Sequence, residues 1–280
     1  MASRSVTRRA LFPLTERRFT YDKYAGFLDR LAGARYRVVP LREFRQTSAG
    51  EGVVIGLRHD VDVSLESALA LAGLEHDRGM RATYFALHSA GYWKSSSLIP
   101  ALKILQDELG HEVGWHNDLV TLECIHGGDA RRFLQDELAR LRDAGLRITG
   151  VVSHGSVHCG RYGYHNDYFF EHCEREIPGY PNKDVVATRQ GARPVPKATL
   201  AEFGLEYDGS YLDDDAFFHD SFFDSHGRRW HTDELDPESL PPGRKAIVLV
   251  HPCHWDASTT AKVRRLARVA GARLTGEKPV

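Results

Sequence analysis

The chain has 280 residues, 42% hydrophobic and 27% charged, with a formal net charge of -1. That balance is ordinary for a soluble globular protein, the longest apolar run near the end (Ala246–Val250) is strand-sized rather than membrane-sized, and no interleaved basic and aromatic pattern points to nucleic acid. The charge is unevenly spread, with 11 Lys/Arg against 4 Asp/Glu in the first 50 residues and 11 Asp/Glu against 2 Arg in 205–240, a pattern normally explained by solvated faces.

In chain order, Met1–Arg18 carries five arginines without a continuous apolar stretch, so a secretory signal is not expected. Four cysteines without a Cys-x-x-Cys pair argue against a structural zinc knot and fit a reducing cytoplasm. Phe19–Leu31 has helical apolar spacing and Tyr36–Leu41 reads as a short edge strand, because Pro40 lacks a ladder donor. We expect residues 1–50 to be an extension packing on one larger domain, 51–280. From Val53 onward apolar runs alternate with amphipathic stretches: strand Val53–Leu57, helix Leu65–Arg78 capped by Ser64, strand Ala82–Leu87, helix Leu98–Leu109, strand Glu112–Trp115, helix Ala130–Ala144 and strand Ile148–Val152. Such repeated β-α units call for parallel strands with right-handed crossovers. The rhythm breaks over 155–235, where only Glu206–Leu212 and Ser221–Asp224 are strand candidates, and returns with strand Lys245–Val250 and a basic helix Ala261–Val269.

Polar residues of catalytic type follow each recognisable strand: Asp60 and Asp62, then His116-Asn-Asp118, then Ser153-His154-Gly155, then His251 and His254. In a parallel α/β sheet or barrel, the carboxyl ends of the strands are where ligands bind. If the backbone stays extended past Leu57, Asp60 and Asp62 share a face with Cα atoms about 6 to 7 Å apart, and His59 points the other way. One carboxylate can then bind a metal ion while the other accepts a proton from water. One Asp and two His make a ligand set suited to zinc, iron, cobalt or nickel.

The order Arg58-His-Asp-Val-Asp62, Gly110-His-Glu-Val-Gly-Trp-His116, Ser153-His-Gly155 and Leu249-Val-His-Pro252 resembles the polysaccharide deacetylase superfamily (NodB homology, carbohydrate esterase family 4), in its divergent branch. The resemblance implies an irregular seven-stranded (β/α) barrel. It also implies one divalent metal, zinc before iron, cobalt or nickel, and hydrolysis of an N-acetyl amide on a sugar. With no secretory signal expected, a cytoplasmic precursor of a surface polysaccharide is the expected substrate. Carried over, Asp60 is the catalytic base, Asp62 and His116 are metal ligands, and His251 is the general acid. The family's second metal histidine lies four residues after the first, where this chain has Val120. His154 is the candidate replacement, with Asp118 and His126 as alternatives. The family's Arg-Pro-x-Tyr segment has no clear match, Arg161-Tyr162 being nearest. Asp118, Arg161, Asp224 and Arg229 are the candidate substrate contacts. Competing readings are a hydrolase of another small C–N substrate, an inactive carbohydrate-binding relative, and an interaction protein using its basic tail Lys262–Arg273. Oligomeric state is not legible.

Overall fold

The computed structural model describes residues 20–33, 35–189, 191–220 and 239–255. The candidates Asp224 and Arg229, the strand candidate Ser221–Asp224, the basic helix Ala261–Val269 and the tail Lys262–Arg273 lie outside them.

Helix α1 (Tyr21–Leu31) is capped by Thr20 and turns Tyr24, Phe27, Leu28 and Leu31 inward. Strand β1 (Tyr36–Val39) follows, and then one helical turn, α2 (Leu41–Phe44), entered through Pro40. Strand β2 (Val53–Val61) is buried along its whole length. Helix α3 (Leu65–His76), which Ser64 caps by accepting from the Ser67 N–H, leads to β3 (Thr83–Leu87). Helix α4 (Leu98–Lys103) continues into a π-helical turn, Ile104–Glu108, before β4 (Glu112–Asn117). Helix α5 (Ala130–Asp143), capped by Asp129, precedes β5 (Gly150–Ser153) and α6 (Val157–Tyr162). A small antiparallel hairpin, β6 (Val185–Thr188) with β7 (Gly191–Pro194), stands apart from the main sheet. Strands β8 (Tyr207–Asp208), β9 (Ala216–His219) and β10 (Lys245–Val250) complete the sheet, and α7 (Pro252–Trp255) follows β10.

Seven strands run parallel in the order β8-β5-β4-β3-β2-β10-β9. With helices between successive strands from β2 to β5, this is an irregular (β/α) barrel, and its end strands β8 and β9 are not paired with each other among the described residues. Strand β1 adds to the lower half of β2, pairing Tyr36–Val39 with Val53–Gly56, while β3 takes the upper half from Arg58 onward. The expected edge strand at Tyr36 is therefore real, but Pro40 begins α2 and does not extend the ladder.

Alternation along β2 sorts its side chains into two environments. Ile55 and Leu57 join the large core beneath the helices, whereas Val54 packs inside the barrel with Leu41, Phe44, Phe85, Val152, Tyr207 and Ile247. Helix α2 is the plug: a Cβ on Gly56 would lie 2.8 Å from Leu41 and 2.9 Å from Phe44, so glycine there lets the plug in. Above it, the Arg58 guanidinium rests 5.6 Å from the Phe85 ring centre. The interior thus runs from apolar plug to cation to carboxylates as β2 rises.

The structure differs from the sequence reading in four places. Glu206–Leu212 supplies only the two-residue β8, and β9 and the β6–β7 hairpin were not foreseen. Strand β2 does not end at Leu57 but keeps its extended backbone through Val61, because β3 and β10 continue to supply ladder partners.

Close packing inside the barrel gives a direct test. A Cβ on Gly114 would lie 2.4 Å from the Phe85 ring and 3.1 Å from the Gly150 carbonyl oxygen. Gly114→Ala should therefore lower stability by about 1–3 kcal/mol, read as a shift in the urea midpoint.

Candidate functional site

Arg58 and Asp60 share one face of β2 by alternation, Asp62 follows the strand's last residue, and His59 faces the helices, where its Nε2 lies 2.7 Å from Glu75 on α3. Arg58 clamps Asp60 in a bidentate pair, Nε donating to Oδ1 at 2.8 Å and Nη2 to Oδ2 at 2.7 Å. Burial alone would push the Asp60 carboxyl up, but the charge of Arg58, and then of His116, holds it below the ordinary carboxylate range.

His116, near the end of β4, is buried at 1% exposure, and its Nδ1 lies 3.1 Å from the Val152 carbonyl oxygen. A carbonyl can only accept, so Nδ1 carries the proton and in neutral imidazole Nε2 presents its lone pair. That lone pair faces Asp62 Oδ1 at 3.3 Å and Asp60 Oδ2 at 3.4 Å. Asp62 Oδ1 is itself buried with no hydrogen-bond partner among the described residues. Both oxygens thus approach the same nitrogen, and with Asp60 Oδ2 already held by Arg58 the Asp62–His116 contact calls for a positive species, either a proton on His116 or a metal ion. Burial pushes the Asp62 carboxyl up, yet contact with His116 and the charges of His154 and His251 bring it far below the usual range. The donor set thus fits a divalent cation, with the Val152 carbonyl fixing the ligating tautomer.

His154 follows β5, and its ring meets His116 edge to face at 5.2 Å. Its Nδ1 lies 3.7 Å from Asp118 Oδ2. Asp118 is buried, accepting from the Ser89 hydroxyl at 2.7 Å and from Asn166 Nδ2 at 2.9 Å, while its N–H donates to His88 Nε2 at 3.0 Å. Burial lowers His88 to about 3, which keeps it neutral and able to accept. Asp118 thus anchors the His154 side of the site. Arg161 is exposed on α6 against the Tyr162 ring, and His126 meets His158 at 5.5 Å.

On the other side, Asp220 follows β9 and is completely buried. Its Oδ1 lies 2.6 Å from His251 Nδ1, and its Oδ2 accepts from the His251 N–H at 2.9 Å and from Trp255 Nε1 at 2.7 Å. Burial would lower His251, but Asp220, aided by Asp62 and Asp60, lifts it to about 9. Donor atoms of Asp220, His251 and His254 all lie within 4.8 Å of one another, close enough to be considered as a metal set. The Asp220 oxygens are already engaged by three N–H groups, so a cation there would displace existing bonds. The arrangement suits an imidazolium held by a carboxylate.

Asp220, Arg58 as a clamp, and Trp255 as a donor are the site residues that motif reading missed. The available signal was the rule already in use: Asp220, like Asp60 and His251, sits where a parallel strand ends.

No protein-family model matches the chain, and no curated protein matches it. Solved structures do. A family 4 carbohydrate esterase from Bacillus anthracis is 14% identical, covering 89% of this chain and 86% of its own, at a TM-score of 0.37. The chitin deacetylase from the fungal pathogen Colletotrichum lindemuthianum is 12% identical, covering 89% of each chain, at a TM-score of 0.42. BA3943, a family 4 pseudoenzyme from Bacillus anthracis, is 12% identical and covers 80% of this chain and 62% of its own, at 0.36. These are likenesses of chain course, and the site described above rests on its own geometry.

The Asp220–His251 pair predicts a pH dependence of stability. His251 is raised in the folded protein from its ordinary 6.5 to about 9, so its contribution is complete below pH 6.5 and is lost as pH rises through 9. Asp220→Asn should remove most of that alkaline decline, measured as urea stability at pH values on either side of the window.

Proposed function

We propose that the protein is a metal-dependent hydrolase that removes the acetyl group from an N-acetylated sugar, with a surface-polysaccharide precursor as the substrate class. The observation that carries this reading is the approach of Asp62 Oδ1 and Asp60 Oδ2 to His116 Nε2, at 3.3 and 3.4 Å. Asp62 and His116 would hold the cation, zinc being the first choice for an O,N donor set, and His154 is the third ligand proposed. When bound, such a cation supplies Lewis acidity toward a carbonyl oxygen and lowers the pKa of water from near 16 toward about 7.

The chain's own residues divide the proton work. Asp60 stays ionised through neutral pH because Arg58 binds both of its oxygens, and this clamp also fixes its direction. It takes the proton from the attacking water. His251 is protonated below about pH 9, with Nδ1 turned to Asp220, so Nε2–H is the proton left for the departing amine. Without that proton an amine is a very poor leaving group. Base and acid therefore differ because one carboxylate faces a guanidinium and one imidazole faces a carboxylate.

The inactive carbohydrate-binding reading keeps one specific support: Val120, where the family's second metal histidine would stand, is fully buried among apolar residues. Activity separates the two.

Full-length protein should release acetate from N-acetylated hexosamines or their oligomers faster than from small acyclic amides. Asp60→Asn and His251→Gln should each reduce turnover about 10²- to 10⁴-fold. Equal turnover of Asp60→Asn and wild type would remove the base assignment, and a preference for acyclic amides would replace the sugar with another C–N substrate. Turnover should also fall as pH rises through about 9, where His251 loses its proton.

A further inference from the structure

Behind β2, on the face away from Asp60 and Asp62, lies a sealed polar cluster that the proposed reaction does not use. Its centre is Glu75 of α3, at 0% exposure. The Tyr24 hydroxyl of α1 donates to Oε1, which also lies 2.7 Å from His59 Nε2. The Tyr84 hydroxyl donates to Oε2 at 2.9 Å, and His111 Nδ1 lies 3.7 Å from the same oxygen. Burial raises the Glu75 carboxyl, but His59 and then His111 and Tyr24 bring it below its ordinary value, so Glu75 is a buried anion wholly dependent on these partners. An apolar core would serve packing as well, so the cluster calls for a reason.

Tyr24 supplies one. Its ring stands edge-on to Trp255 of α7, with centroids 5.0 Å apart at 63°. Trp255 Nε1 donates to Asp220 Oδ2 at 2.7 Å, and Asp220 Oδ1 receives His251 Nδ1 at 2.6 Å. A continuous run of contacts therefore leads from Glu75 through Tyr24 and Trp255 to Asp220 and His251, from the outside of the sheet to its inside. Its geometry is specific at both ends: the hydroxyl fixes the Tyr24 ring, and the indole N–H fixes one oxygen of Asp220.

We infer that Trp255 and Tyr24 are positioning residues for the proton donor: Trp255 holds the Asp220 carboxylate against His251, and Tyr24, pinned by Glu75, sets the Trp255 ring. This makes α1 part of the machinery of the opposite barrel face. The inference rests on His251 being the proton donor proposed above, and its test does not require turnover.

The His251 imidazole is followed by histidine-selective NMR in the full-length protein across the neutral and alkaline range, its signal assigned by loss in His251→Gln. The charged and titratable groups around it are Asp220 after β9, His254 on α7, Asp60 on β2 and Asp62 just after it, all unchanged in the variants. Trp255→Phe keeps a ring but removes the N–H, leaving Asp220 Oδ2 held by the His251 N–H without the indole. The His251 pKa should fall from about 9 toward 6.5. A fall of at least about half a unit is expected, roughly threefold in proton affinity. Tyr24→Phe should give a smaller fall in the same direction. Tyr84→Phe, which removes another hydroxyl from the same Glu75 but does not touch Trp255, should leave His251 unmoved.

No change or a rise in Trp255→Phe overturns the role of the tryptophan. Identical His251 behaviour in Tyr24→Phe and Tyr84→Phe overturns the role of α1. Where turnover is found, Trp255→Phe should lower kcat at unchanged KM. If no N-acetylated sugar is turned over while His251 still moves as expected, the positioning stands and the deacetylase reading falls.

Discussion

The constraint on which the structure depends is electrostatic: two carboxylates and an imidazole lone pair are brought together, buried, at the barrel mouth. Unpaired, such a set would repel, and each buried carboxylate alone would be driven toward its neutral form. The fold answers from below with Arg58, seated on Phe85 above an apolar plug, and from the flanks with the imidazoles His154 and His251. The Val152 carbonyl adds the remaining restriction, since it fixes which nitrogen of His116 looks inward. What completes the set is a positive species at the point of convergence.

Two carboxylate-centred assemblies flank that point with opposite tasks. Asp60 with Arg58 is an anion kept as an anion, and His251 with Asp220 is a cation kept as a cation. The same sheet holds both because β2 and β10 are neighbours, with Val250 registered beside His59. The proposed acid and base are thereby placed by a single strand pairing, which favours precise positioning. On the far side of the sheet, Glu75 and its partners occupy volume that apolar residues usually fill, at a cost in desolvation. Their contact with Trp255 gives that cost a purpose.

Much of this was legible in sequence for a simple reason. Period-two alternation along Val53–Asp62 places Asp60 and Asp62 on one face and His59 on the other, and the β2–β3 ladder enforces it. Lys245–Val250 was equally clear because a buried parallel strand reads as an unbroken apolar run. Strand β9 was obscured by the acidic residues Asp213–Asp215 just before it, and with it went Asp220. The plug α2 could not be seen either, since four residues carry no helical period and only the space above Gly56 explains them. Arg58 read as one more charge at a strand end. Its role as clamp depends on the side chain running along the strand to Asp60, two residues on, which spacing permits but does not require.

The central claim is that a divalent cation belongs between Asp62 and His116. Calorimetric titration of zinc into the metal-stripped full-length protein tests it most directly. The account predicts a single tight equivalent that is lost in His116→Gln and retained in His254→Gln. Absence of binding, or binding that survives His116→Gln and disappears in His254→Gln, would contradict it and move any metal to the Asp220 set.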